Sequence, residues 1–289
     1  MSDEIIGKVL GRYRVTRDLG SGGMASVFEA QVIDSGEVVA LKMLPIHMVK
    51  NPEYLRRFRR EYRVMAELDH PNLVPIREFD EIDGVYFYTM PFVTCPTLDQ
   101  VLAAHEARQA QVPPDRVARI GVGLMAALDY IHAKGIIHRD LKPVNVFVSD
   151  EDHVMLADFG LVKAMRQTAI TMRPTFLGTI EYAAPEQIDV TATVDHRSDL
   201  YQAGLILFQM AAGRLPFNRR NIEAMIEEKC FKEGLTSPRL INPAIPEALS
   251  LVIQKSTRSD PVERHQSAVE MQQALRLAVP EAFGGARHG

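Results

Sequence analysis

At 289 residues the chain is long for one hydrophobic core, because such cores stop growing near roughly 250 to 300 residues, so two lobes with a cleft between them are expected. Apolar residues at 46% and charged residues at 24% exclude a disordered chain, and a net charge of -4 with interspersed signs lacks the basic footprint of a nucleic-acid binder. Cys95 and Cys230, the only cysteines, stand far apart, so neither a disulfide framework nor a zinc site is expected.

In chain order, Met1 to Val15 shows no basic stretch followed by an apolar one, and no later apolar run approaches the ~20 residues that span a bilayer. The expectation is a reducing cytoplasm and no membrane segment in this chain. Tyr13 to Leu19, Val27 to Val32 and Val38 to Leu44 are short apolar or alternating runs bounded by Gly, Ser and Asp, which reads as an antiparallel meander. One helix interrupts it. Asn51 is its cap, Pro52 its first residue, and Leu55, Phe58, Tyr62, Met65 and Leu68 form one stripe. The opposite face carries Arg56, Arg57, Arg59 and Arg60 and reads as a solvated surface.

From about Pro91 the pattern turns helical: Val117, Ile120, Leu124, Leu128 and Ile131 recur at helical spacing, followed by helices over Asp199 to Ala212, Ala244 to Lys255 and Ser267 to Leu277. The most apolar stretch, Ala203 to Ala212, reads as a buried helix. The predicted fold is therefore α+β, with a small antiparallel β-rich lobe with one key helix over residues 1–90, a larger α-helical lobe over 91–279, and a frayed tail over 280–289.

The stretch Leu19-Gly20-Ser21-Gly22-Gly23-Met24-Ala25-Ser26-Val27 lies between two predicted strands, so its small residues let a hairpin backbone lie close over phosphates. A dinucleotide-binding loop would need a helix after the glycines, whereas strand-like residues follow. Lys42 stands in the apolar strand Val39-Ala40-Leu41, where an unpaired ammonium would be costly, and Glu61 on the helix is an anionic partner for it. Farther on come His138-Arg139-Asp140-Leu141-Lys142-Pro143-Val144-Asn145 and then Asp158-Phe159-Gly160.

These strings, in this order along nearly the whole chain, resemble the eukaryotic-like serine/threonine protein kinases, and the surrounding wording resembles their bacterial branch. The resemblance implies a two-lobed kinase that moves the γ-phosphate of ATP onto serine or threonine of protein substrates. It implies that Asp140 accepts the substrate hydroxyl proton, that Lys142 neutralises the γ-phosphate, and that Lys42, paired with Glu61, touches the α- and β-phosphates. Asn145 and Asp158 hold Mg²⁺, with Mn²⁺ as an alternative ion. Leu19, Val27 and Ala40 lie on one side of the adenine ring and Phe147, where leucine is commoner, on the other; Met90 is the gatekeeper and Val93 supplies a hinge N–H beside Pro91.

The resemblance also makes Asp158 to Glu186 an activation segment. Thr171 matches the activating phosphorylation position best, Thr175 and Thr168 are alternatives, and a phosphate there would pair with Arg139. Thr179, with Lys142, belongs to the serine/threonine-specific pattern beside the acceptor. Glu186 and Arg264 resemble a buried ion pair, and Asp199 is expected to brace the catalytic loop. Transient self-association for autophosphorylation in trans is expected, and the chain is cytoplasmic by itself or as the cytoplasmic domain of a longer, membrane-anchored protein. Ala25 replaces the third glycine of the flap. The alternative, an ATP-binding pseudokinase or scaffold, requires a damaged site, yet Lys42, Glu61, Asp140, Asn145 and Asp158 are all present.

Overall fold

Val39 and Leu41 alternate with Ala40 and Lys42 along one strand, and that alternation separates a buried face from a functional one. The computed structural model describes residues 5–22, 25–44, 52–158, 180–189, 191–217, 221–231 and 234–284, with the backbone alone at 21, 22, 25, 53, 54, 57, 60 and 61. These residues form two compact units, one ending at Thr94 and the other beginning at Cys95.

The first unit is a six-stranded antiparallel sheet built from β1 (Val9–Leu10), β2 (Tyr13–Gly22), β3 (Ala25–Val32), β4 (Val38–Met43), β5 (Phe79–Ile82) and β6 (Val85–Pro91), in the spatial order β1-β2-β3-β4-β6-β5. Asp83 and Gly84, at φ 50° and 75°, make the two-residue turn between β5 and β6, a left-handed pair that favours an Asp-Gly sequence. One sheet face carries Tyr13, Val15, Phe28, Ala30, Val39, Leu41 and Phe87 into a common apolar cluster. Burying each such large side chain is worth about 1.5 to 3 kcal/mol.

Because side chains alternate across a strand, Ala40 and Lys42 face the other way. Against that second face lies α1 (Pro52–Ala66): Phe58, almost fully buried, sits 5.2 Å from the Phe79 ring and 6.3 Å from that of Tyr88, the cross-strand neighbour of Lys42. The expected stripe residues Phe58 and Met65 are buried, as the 3.6-residue period requires. Asn51, the expected cap, lies outside the described residues.

The second unit is mainly helical: α2 (Leu98–Ala107), α3 (Pro114–Ala133), α4 (Pro185–Ile188), α5 (Arg197–Ala212), α6 (Ile222–Cys230), α7 (Glu247–Ser256) and α8 (Ala268–Ala278). A two-stranded hairpin, β7 (Val146–Val148) with β8 (Val154–Leu156), interrupts them. The helix α5 is buried almost all round, which its unbroken apolar sequence dictates, and α3, α7 and α8 surround it or one another. A β-carbon on Gly204 of α5 would lie 2.7 Å from the Ser256 β-carbon of α7, so only glycine permits this close helix approach.

The first residues of the expected frayed tail, 280–284, are described and take a regular form; 285–289 lie outside the described residues. Pro280–Phe283 forms a 3₁₀ turn, with Val279 fully buried and the Arg276 guanidinium 4.7 Å from the centre of the Phe283 ring. The apolar anchor at 279 and this cation–ring contact hold a segment whose small, polar composition suggested fraying.

Candidate active site

The helix α3 ends at Ala133, and α5 opens with a buried carboxylate, Asp199, in its first turn. Asp199 Oδ2 accepts the His138 N–H at 2.8 Å, Oδ1 accepts the Arg139 N–H at 2.8 Å, and His132 Nε2 lies 2.8 Å from Oδ2. The loop is thus pinned by its backbone to the most deeply buried helix of the unit. Arg139 adopts φ 64°, a left-handed conformation that costs a non-glycine residue roughly 1 to 2 kcal/mol, and these bonds hold it there.

His138 is fully buried, and burial pulls its imidazole below the ordinary histidine range. Its Nδ1 accepts the Asp140 N–H at 3.3 Å and its Nε2 donates to the Ala157 carbonyl at 3.1 Å, the arrangement of a neutral ring protonated on Nε2. This histidine therefore orients Asp140 from behind and keeps a fixed proton.

Asp140 is half-buried, with Lys142 Nζ 3.1 Å from its Oδ2. Asn145 Nδ2 donates to the Asp140 carbonyl at 2.7 Å, so the other end of the amide, Oδ1, is the atom turned toward other ligands. The short β7–β8 hairpin explains how Asn145 meets Asp158: Val146 pairs with Leu156, and the Ala157 N–H donates to the Asn145 carbonyl at 2.9 Å. Both residues therefore stand at the same end of the hairpin, Asp158 half-buried at φ 60°. One carboxylate and one amide oxygen are hard donors, and two protein ligands suit Mg²⁺, which takes its remaining ligands from phosphates and water.

Two glutamines that the sequence reading did not single out extend this network. Gln202 accepts the Leu141 N–H at 3.1 Å, and its Nε2 lies 3.1 Å from Gln187 Oε1 and 3.4 Å from the Arg139 carbonyl. Gln187 donates to the Arg139 carbonyl at 2.9 Å and accepts the Ala184 N–H at 2.9 Å. The loop around Asp140 is thereby joined to the residues just ahead of α4. An available signal was Gln202 itself, a carboxamide inside the apolar run of α5.

Glu186 and Arg264 form the expected buried pair, with bonds of 2.7 and 2.8 Å and Ser198 Oγ donating to Glu186 at 2.6 Å. The guanidinium lies 4.8 Å from the centre of the Tyr201 ring. Burial raises the Tyr201 hydroxyl well above its ordinary pKa.

In the sheet unit, Gly20 pairs with Val27, Val27 with Lys42 and Ala40 with Met90, so Val27, Ala40, Lys42 and Met90 lie on the sheet face opposite the apolar cluster. Leu19 sits at a register shift in β2 and is 39% exposed. Ser26 is half-buried next to Val27, and Val93 follows β6, also half-buried. Phe147 lies in β7 of the helical unit, bridged to Thr97. Gly23, Met24, Phe159, Thr168, Thr171, Thr175 and Thr179, together with the side chains of Ser21, Ala25 and Glu61, lie outside the described residues.

The protein kinase domain model matches residues 13–276 of the chain. Similar proteins include the probable serine/threonine-protein kinase PknB of Lactococcus lactis, 38% identical over 92% of this chain and 42% of that protein. Another is the serine/threonine-protein kinase PrkC of Bacillus subtilis, 33% identical over 95% of this chain and 42% of that protein. The chain thus spans less than half the length of these relatives. Among solved structures, the PknI kinase domain of Mycobacterium tuberculosis is 28% identical with a TM-score of 0.74, covering 95% of this chain and 98% of that one.

Proposed function

The chain belongs to the protein kinase domain family, and from that premise we propose that it transfers the γ-phosphate of ATP to serine or threonine hydroxyls of protein substrates. The observation that carries this reading is the placement of Asp140, Lys142 and Asn145 on one loop pinned by Asp199, with Asp158 delivered to the side of Asn145 by a hairpin.

Phosphoryl transfer asks a protein mainly for positioning and charge neutralisation, because the transition state spreads negative charge over the transferred group. Asp140 receives the proton of the acceptor hydroxyl. Lys142, 3.1 Å from that carboxylate, supplies positive charge where the γ-phosphoryl moves. On the family pattern, Lys42 and Glu61 are proposed to serve the α- and β-phosphates, and the stretch Gly20, Ser21, Gly22, Gly23, Met24, Ala25 and Ser26 is proposed as the phosphate-binding sequence. Leu19, Val27, Ala40 and Met90 of the sheet unit are proposed as adenine contacts with the Val93 N–H as donor, and Phe147 is carried over from the family pattern in the same role. Asn145 and Asp158 would hold Mg²⁺ or Mn²⁺, whose contribution when bound is to neutralise phosphate charge and align the transferred group.

Thr179 is proposed to shape the acceptor site, and a phosphate placed on Thr171, or on Thr175 or Thr168, in trans within a transient pair of molecules is proposed to pair with Arg139. The location is cytoplasmic. A scaffold without activity has no support, since the loop geometry around Asp140 is intact.

The test is transfer from labelled ATP with Mg²⁺ to a generic basic protein, wild type beside Asp140→Asn. Transfer by the wild type, lowered about 10²-fold or more in the variant, is the expected result. Equal transfer by both removes Asp140 as the base, and silence from both removes the kinase reading.

A further inference from the structure

Lys229, in the last turn of α6, is fully buried, which is unusual for lysine. Its amino group donates to three main-chain carbonyls, Ile180 at 3.1 Å, Glu181 at 2.6 Å and Ala183 at 2.9 Å. The faces of Phe217 and Tyr201 complete the enclosure, their ring centres 4.7 and 5.7 Å from Nζ. Three oxygens and two ring faces form a cage that suits an amine.

What the amine holds is the turn that leads into α4. The same turn is fastened by the Tyr182 hydroxyl, which donates to Gln209 Oε1, and by the Ala184 N–H on Gln187, whose amide in turn reaches the carbonyl of Arg139, the residue before Asp140. Thr179, proposed above to shape the acceptor site, immediately precedes this turn in the sequence, so the turn is the next stretch of chain available to an acceptor polypeptide. A buried amine is a costly way to fasten a surface turn unless its conformation matters, because removing that amine leaves three carbonyls without their donor.

We propose that Lys229 is a positioning residue for the acceptor chain, fixing the Ile180–Ala183 main chain as the platform on which protein substrate is seated next to Asp140. The inference rests on the protein-kinase reading and adds to it a residue 89 positions away from the base, on helix α6 and not on the loop that carries Asp140. Its mark is selectivity. Loosening the platform weakens capture of the acceptor and leaves ATP binding as it was.

The experiment measures steady-state transfer to a serine-containing acceptor protein for wild type, Lys229→Met and Lys229→Gln, together with KM for ATP and slow ATP hydrolysis without acceptor. Lys229→Met, of similar length and apolar, is expected to raise acceptor KM roughly tenfold, with ATP KM and basal hydrolysis unchanged. Lys229→Gln, which keeps an N–H donor, should fall between the two, and it serves as the test if the methionine variant does not fold. An unchanged acceptor KM overturns the proposal alone, as does a parallel loss of ATP affinity and hydrolysis. Absence of transfer by the wild type overturns the kinase reading and the platform with it.

Discussion

Asp199 holds Arg139 in a left-handed turn: the buried carboxylate accepts the Arg139 N–H at 2.8 Å while its second oxygen takes the N–H of His138. Asparagine keeps one oxygen but presents an NH₂ group to the other backbone donor. The expected outcome of Asp199→Asn is a loss of about 2 to 3 kcal/mol in urea unfolding and a fall in kcat larger than any change in ATP KM. A variant with wild-type kcat would mean that the loop keeps its shape without this brace.

Much of this arrangement was legible in the sequence, where chemistry and periodicity coincide. The strand alternation of Val39 to Lys42, the apolar stripe of α3 and the apolar length of α5 each have one physical solution. Other elements were missed because their signals are short. Strands β7 and β8 have three residues each, too few for a period, yet they bring Asn145 to Asp158. Helix α2 had a readable start, since Thr97 and Gln100 form a reciprocal capping box, but only Leu98 and Val101 of its ten residues are buried and the apolar stripe is weak. Gln202 stood out only as a carboxamide in an apolar run, and the roles of Lys229, Gln187 and Gln202 were not legible. Each reaches a main-chain atom more than forty residues away in sequence, which no local motif encodes.

Gln187 and Gln202 share the Arg139 carbonyl and contact each other, so their substitutions should not add. Gln202→Leu leaves the Leu141 N–H without its acceptor and is expected to lower kcat about tenfold, and Gln187→Leu somewhat less. The double variant should fall short of the product of the two losses. A double-mutant cycle on kcat checks this; losses that multiply would show two independent contacts instead of one network.

The Glu186–Arg264 pair predicts a contrast. Removing one partner leaves a buried charge, so Arg264→Met alone should cost about 3 to 5 kcal/mol in stability. The combined Glu186→Leu, Arg264→Met variant removes both charges but leaves the Ser198 hydroxyl without its acceptor and the Arg197, Arg258 and Ser259 carbonyls without their guanidinium donor, so it should recover part of that loss and no more. Urea unfolding of the three proteins decides it, and equal instability of single and double variants would assign the cost to the lost carbonyl bonds and to packing around Tyr201.

The same accounting of buried charge gives Lys229 a pH signature. Burial lowers its ammonium from 10.5 to about 7, while neighbouring Cys230 and Glu181 act in the opposite direction. Between those values the unfolded chain binds a proton that the folded chain releases, which leaves two N–H donors for the three carbonyls; stability rises with pH through this window, and below about 7 the ammonium engages all three carbonyls while the folded protein carries the full cost of the buried charge. Relative to Lys229→Met, the wild type should gain on the order of 2 kcal/mol in unfolding free energy from pH 7 to pH 9. The Cys230 thiol, raised by burial, titrates with the opposite sign and is itself lowered by Lys229, so both proteins are compared on a Cys230→Ser background. A difference that stays flat over this range would mean that the carbonyls of Ile180, Glu181 and Ala183 keep the amine charged in the folded protein up to pH 9, so that the three-donor contact persists across the whole window.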